Sequence, residues 1–216
     1  EGGTRLPADV VVWAADPIRL YRDALPPSAA GWRARLLARR ATPSMGVALL
    51  YLGLSEPCPE LPEHVIRIGA DHRGHMRAVF RGGAAPEDLS LYLHRPAATD
   101  PARAPAGRDA LYALCPVPHL GGRAAWREAA PALRARMLGA IERAALPGLR
   151  DRIVAERMRT PADFEADYAS EAGAAFSLAP ALLQSAWFRF HNRGEGVPGL
   201  YLAGAGAHPG AGLPAV

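Results

Sequence analysis

The densest run of residues able to do chemistry lies near the end of the chain. Gly204-Ala205-Gly206-Ala207-His208-Pro209-Gly210-Ala211-Gly212-Leu213-Pro214 directly follows the apolar stretch 197–203. Glycines placed after a strand let backbone approach a ligand closely, because no Cβ intervenes and positive φ costs little. A helix starting near Gly212 or Pro214 would aim its free N–H groups and positive dipole end at whatever lies above the turn. A flavin or a phosphate would fit there. The spacing is not Gly-x-Gly-x-x-Gly, so the run is not a dinucleotide fingerprint. From the residues alone it is either a ligand seat or a structural turn.

Other candidates are sparser. His64, Asp71, His72 and His75 fall in a short span, and the last two histidines sit one helical turn apart, as metal ligands can. A polar loop beside a strand explains the same residues, and no metal is expected. His119, between Pro118 and Leu120, can cap a strand end or line a substrate channel. His208 reads as an orienting hydrogen-bond donor rather than a general base. Trp187 and Phe188 end an apolar stretch and either line a tunnel or fill core. No Gly-x-Ser-x-Gly occurs, which removes the nucleophile elbow of a hydrolase and leaves Ser44, Ser90 and Ser185 as ordinary strand and turn residues.

These residues need elements to hold them. Residues 10–13 form a β-branched block that reads as a parallel strand buried on both faces, and 17–25 as a short helix stopped by Pro26-Pro27. Strand-like stretches at 45–54, 64–68, 89–94 and 110–117 predict an antiparallel sheet. Trp126, Ala130, Leu133, Met137, Ile141 and Ala145 recur at helical spacing. Pro131 either opens that helix in its first turn or kinks a longer one. A strand is expected at 153–158, then a helix from Thr160, as N-cap, to about Tyr168. Residues 197–203 read as a short buried strand.

Composition bounds the whole. The 216 residues are 50% hydrophobic and 21% charged, with 22 Gly and 21 Pro, which excludes a disordered tail or fibrous repeat and fits one large domain or parts of two. All 25 basic residues are Arg, giving a formal charge of +4. They are scattered rather than striped, so no nucleic acid is expected. Cys58 and Cys115 encode neither a disulfide framework nor a zinc knuckle, which points to a reducing, cytoplasmic compartment. The longest apolar run, 47–54, is far short of the roughly 20 residues a spanning helix needs. No secretory leader pattern opens the chain.

Residues 183–193, Leu-Gln-Ser-Ala-Trp-Phe-Arg-Phe-His-Asn-Arg, followed by the stretch from Gly199 to Leu213, resemble the carboxyl-terminal signature of bacterial phytoene desaturases. These are FAD-dependent carotenoid desaturases of the amine-oxidase-like flavoprotein group. Further blocks follow the family order: Ala8 to Val12 with Ala15-Asp16, Ser90 to Pro96 with Thr99-Asp100-Pro101, and Cys115 to Gly121. Within the pattern, Phe190 stands for the usual Pro, Ala207 for a common Thr, Ala215 for Gly and Ala14 for Asn.

The resemblance implies an α/β FAD/NAD(P)-binding flavoprotein fold, present in part, with an α+β substrate domain built on the antiparallel sheet. Residues 1–17 would end the FAD-binding domain, 18–196 form the substrate domain, and 197–216 supply the terminal flavin strand and turn. Gly204, Ala205, Gly206, His208, Gly210, Gly212, Leu213 and Pro214 would lie along FAD, and His119, Trp187 and Phe188 along an apolar polyene. The family's amino-terminal strand, Gly-x-Gly-x-x-Gly and helix have no match here, so the chain corresponds to an internal and carboxyl-terminal part and should hold FAD poorly alone. The implied reaction desaturates phytoene or a related carotenoid, with hydride passing to the flavin and an outside acceptor reoxidising it. Alternatives are a desaturase or isomerase of another carotenoid, or a lipid-binding module without FAD. An apolar substrate implies peripheral membrane contact through an Arg-flanked patch.

Overall fold

The computed structural model describes residues 3, 5–81, 87–122 and 126–212, and of residues 122–127 no side chain is described. The chain divides into two compact units: one runs up to Ser44 and resumes at Glu165, and the other is the intervening Met45–Phe164. They are called below the split unit and the central unit. These divisions fall elsewhere than the expected 17/18 and 196/197, because 18–44 and 165–196 pack into the same core as the first and last strands.

In the split unit, β1 (Val11–Trp13) is followed by a helical turn, α1 (Pro17–Arg19), which runs into a π-helical turn at Leu20–Ala24, and then by α2 (Trp32–Arg40). Asp16 starts α1: its Oδ1 accepts from Ile18 N at 2.9 Å and its Oδ2 from Glu171 N at 3.1 Å. Burial pushes the Asp16 carboxyl up, against the pull of those two amides.

In the central unit, β2 (Gly46–Leu54), β3 (His64–Arg67), α3 (His72–Arg81), β4 (Leu91–His94) and β5 (Asp109–Val117) precede α4 (Trp126–Ala144), α5 (Leu149–Arg152) and β6 (Ile153–Arg159). α6 (Pro161–Tyr168) then carries the chain back to the split unit, where β7 (Leu200–Leu202) pairs in parallel with β1. β1 is not buried on both faces as expected. Val11 and Val12 are 47% and 62% exposed, since the two-stranded β1–β7 sheet has its core, around Ile18, Tyr21, Phe190 and Leu202, on one side.

The antiparallel sheet is as the sequence predicts, in the order β3-β4-β5-β2-β6. Alternation decides its faces. Leu50, Leu52 and Leu54 of β2 join Leu111, Ala113 and Cys115 of β5 and Leu91 and Leu93 of β4 in the core, closed by Leu133, Met137, Leu138 and Ile141 of α4. Pro131 lies inside α4 rather than at its start. Thr160 and Asp163 reciprocate at the head of α6, Asp163 Oδ2 accepting from Thr160 N at 2.7 Å and from its hydroxyl at 2.8 Å. α3 replaces the polar loop anticipated around His72, burying His75, Ala78 and Val79 on one helical face. Both cysteines are buried and free, and burial pushes the Cys115 thiol up to about 12.

Candidate functional site

The glycine-rich turn leaves β7 with Ala203 N donating to Trp13 O at 3.0 Å, Ala207 N to Gly204 O at 3.0 Å and His208 N to Phe190 O at 2.7 Å. Arg189, 4% exposed, braces it from below: its guanidinium donates to Ala205 O at 2.9 Å and Leu178 O at 3.2 Å. Burial lowers the Arg189 pKa. Asn192 Nδ2 donates to His208 O at 2.9 Å. Phe190 in place of the expected Pro is accommodated by Tyr21, whose ring stacks on it with centroids 5.3 Å apart.

The glycines of this turn serve two purposes. Gly206 is buried, and a Cβ there would stand 2.5 Å from Pro17 Cδ and 2.6 Å from Ser177 Oγ, so the packing of the turn itself demands glycine. Gly204 and Gly212 are exposed with φ of +102° and +108°, and a Cβ on Gly204 would meet nothing nearer than Ala14 O at 3.8 Å. Ser177 Oγ and His208 Nδ1 are buried without a hydrogen-bond partner among the described residues. Open, Cβ-free backbone beside two unspent polar atoms fits a group lying along the turn. Leu213 and Pro214 lie outside the described residues.

Trp187 and Phe188 are 66% and 48% exposed, which removes the core-filling alternative for them. Trp187 faces the turn instead, its ring centroid 6.3 Å from that of His208 and 4.6 Å from that of His191. They form part of a larger patch with Trp32, Leu36, Leu182 and Leu183, all more than 40% exposed. A 340 Å³ groove in it is bordered by Arg33 and Arg40. His119 belongs to the central unit. Its Nδ1 accepts from Gly121 N at 3.1 Å just past β5, the capping role, and burial lowers its pKa.

The central unit carries a feature that reasoning on single segments missed. Register places Arg157, Tyr51, Tyr112, His94 and His64 directly opposite one another across β6, β2, β5, β4 and β3, a row on the sheet face away from α4. Tyr51 and Tyr112 pack with ring centroids 5.3 Å apart, and His94 and His64 stack at 4.8 Å. A groove of 580 Å³ follows the row, lined by Tyr51, His94, Pro96, Leu111, Tyr112 and Arg157 among others, with mainly apolar walls. Burial, with Tyr51 and Tyr92 nearby, pushes the Tyr112 phenol up to about 12. The hint in the sequence is that Tyr51, Tyr92, His94 and Tyr112 occupy strand positions alternating with small or aliphatic core residues.

The metal candidates His64, Asp71, His72 and His75 are not brought together. His75 is enclosed, with Nε2 on Pro116 O at 3.0 Å and Nδ1 accepting from Ser90 N at 3.1 Å, and His72 Nδ1 meets Ser90 Oγ at 2.9 Å. His64 stands instead with Glu63 and His94.

A parallel strand pair ending in a glycine-rich turn, with a separate antiparallel-sheet unit, is the organisation of a two-part α/β flavoprotein. The chain belongs to the flavin containing amine oxidoreductase family, whose profile matches residues 1–214. A lycopene-forming phytoene desaturase of Pseudescherichia vulneris is 42% identical over 96% of this chain, and a neurosporene-forming phytoene desaturase of Rhodobacter capsulatus is 43% identical over 99%. In each case the match spans 42% of the relative's length. The crystal structure of an oxidoreductase from Methanosarcina mazei shares the fold, with a TM-score of 0.57 at 15% identity over 97% of this chain and 41% of that one.

Proposed function

We propose that this chain is part of an FAD-dependent desaturase acting on phytoene or a related carotenoid precursor. The observation that carries the reading is the aromatic row of Tyr51 and Tyr112 along a mainly apolar groove, in a chain over 40% identical to phytoene desaturases. FAD, when bound, supplies the two-electron chemistry of such a desaturation. Gly204, Ala205, Gly206, His208, Gly210 and Gly212 would lie along it, with Arg189 fixing the turn and Trp187 packing edge to ring against His208. Tyr51 and Tyr112 orient the polyene by ring contact, which suits a substrate without polar groups.

The same reading carries peripheral membrane contact. Leu182, Leu183, Trp187 and Phe188 with Trp32 and Leu36 offer apolar area, and Arg33 and Arg40 offer charge to anionic lipid. No helix among the described residues is long and apolar enough to cross a membrane. The test is phytoene turnover by the complete protein with FAD in liposomes, comparing wild type with Tyr112→Ala and Tyr51→Ala. A raised KM for polyene with flavin retained is expected. Absence of any carotenoid product, or an unchanged KM in both variants, overturns the assignment.

A further inference from the structure

At the β3 edge of the sheet, beyond the Tyr51–Tyr112 pair, three side chains converge. His64 and His94 are paired directly across β3 and β4, and Glu63 immediately precedes β3. Glu63 Oε1 lies 3.7 Å from His64 Nε2 and 3.7 Å from His94 Nε2, and the three ligand atoms all fall within 4.8 Å of one another. Two ligands about 2.1 Å from one tetrahedral ion stand about 3.4 Å apart, so small side-chain rotations would close the set.

The surroundings prepare it. His64 Nδ1 meets Tyr92 OH at 2.8 Å, and Glu63 Oε1 accepts from Thr99 Oγ1 at 2.8 Å. With Nδ1–H donated to the phenol oxygen, the Nε2 lone pair of His64 is left facing Glu63, which is how outer partners orient a metal-binding imidazole. From these contacts we infer that Glu63, His64 and His94 form a binding site for one divalent transition ion of the zinc class, with a fourth position open to water. The ligands come from both strands of the sheet edge, so the ion would staple β3 to β4 at the end of the aromatic row.

Titration of the full chain with zinc chloride alone, followed by calorimetry and by the thermal midpoint, tests the site. One equivalent should bind and raise the midpoint, as any ligand selective for the folded state must. His94→Ala and His64→Gln should each weaken binding by at least about tenfold and abolish the rise, and Tyr92→Phe should weaken it about tenfold. His72→Ala, outside the cluster, should bind as wild type. All these residues are at least partly exposed, so the variants should melt near wild type without zinc. No binding by wild type, or equal binding by His94→Ala, overturns the site.

Discussion

Trp187 and His208 face each other edge to ring, with centroids 6.3 Å apart. One belongs to an exposed apolar patch and the other to the glycine-rich turn, so the contact ties the surface expected to meet substrate or lipid to the backbone expected to meet flavin. Aromatic pairs of this kind contribute about 0.5–1.5 kcal/mol. Loss of this contact in Trp187→Ala should therefore cost about 0.5–1.5 kcal/mol, beyond what the loss of buried area costs. It should nevertheless shift the His208 ring proton resonances and raise the KM for polyene. Unchanged His208 resonances would show that the contact does not form in solution.

Gly206→Val tests whether the turn needs glycine for its own packing. The new side chain would strike Pro17 and Ser177, and overpacking of this sort costs typically 1–3 kcal/mol, occasionally more. A lowered thermal midpoint is expected already without flavin, with flavin retention falling alongside it. A normal midpoint without flavin, combined with lost retention, would mean that Gly206 serves the ligand alone.

Asp109 and Arg95 form an enclosed ion pair in the central unit. Asp109 Oδ2 receives Arg95 Nε at 2.7 Å and Cys58 N at 2.9 Å, and its side chain is 1% exposed. Removing one partner of a buried pair strands the other charge, at a cost of about 3–5 kcal/mol. Asp109→Ala should lose that much in urea unfolding, and Asp109→Asn, which keeps an acceptor, should lose less. A loss under about 1 kcal/mol for Asp109→Ala would mean that water reaches Arg95 freely.

His75 should make stability depend on pH. Its neutral ring fits: Nε2 donates to Pro116 O and Nδ1 accepts from Ser90 N. Burial lowers its pKa from the usual 6.5, and His72 and Arg136 push the same way against the Pro116 carbonyl. Above about pH 6.5 both the folded and unfolded chain hold the ring neutral, and its contribution is complete. As pH falls through that value the unfolded chain takes up a proton that the folded chain refuses, so stability declines until the lower folded pKa is reached. His119, lowered by burial, acts with the same sign. Urea midpoints measured from pH 7.5 to 5.5 should fall, and His75→Gln should flatten part of the slope. An equal slope in His75→Gln would assign the effect elsewhere.

The parts of this fold that repeat locally were legible in the sequence. Apolar stretches bounded by Pro, Gly or Asp marked β2 and β5, the Leu133-Met137-Ile141 stripe marked α4, and Thr160-Pro161 marked the start of α6. The glycine run announced a turn with positive φ before its surroundings were known. What stayed hidden depends on register or on partners distant in sequence. Tyr51, Tyr112, His94 and His64 lie on four strands, and no local pattern aligns them. Exposure of β1 likewise follows from how many strands flank it, which three valines cannot specify. α3 was readable in principle, because His75, Ala78 and Val79 keep helical spacing, although its polar residues and Gly74 also suit a loop.

The split unit is built from both flanks of the central one, and that fixes an order of events during synthesis. β1 leaves the ribosome long before its only described partner, β7, exists. The central unit holds its sheet entirely within 45–164 and can close while the rest is still being translated. Until β7 emerges, the valines of β1 and the edge that β7 covers stay open to wrong pairing and to capture by chaperones. The glycine-rich turn, which follows β7 directly, can therefore take shape only once β7 has emerged to pair with β1.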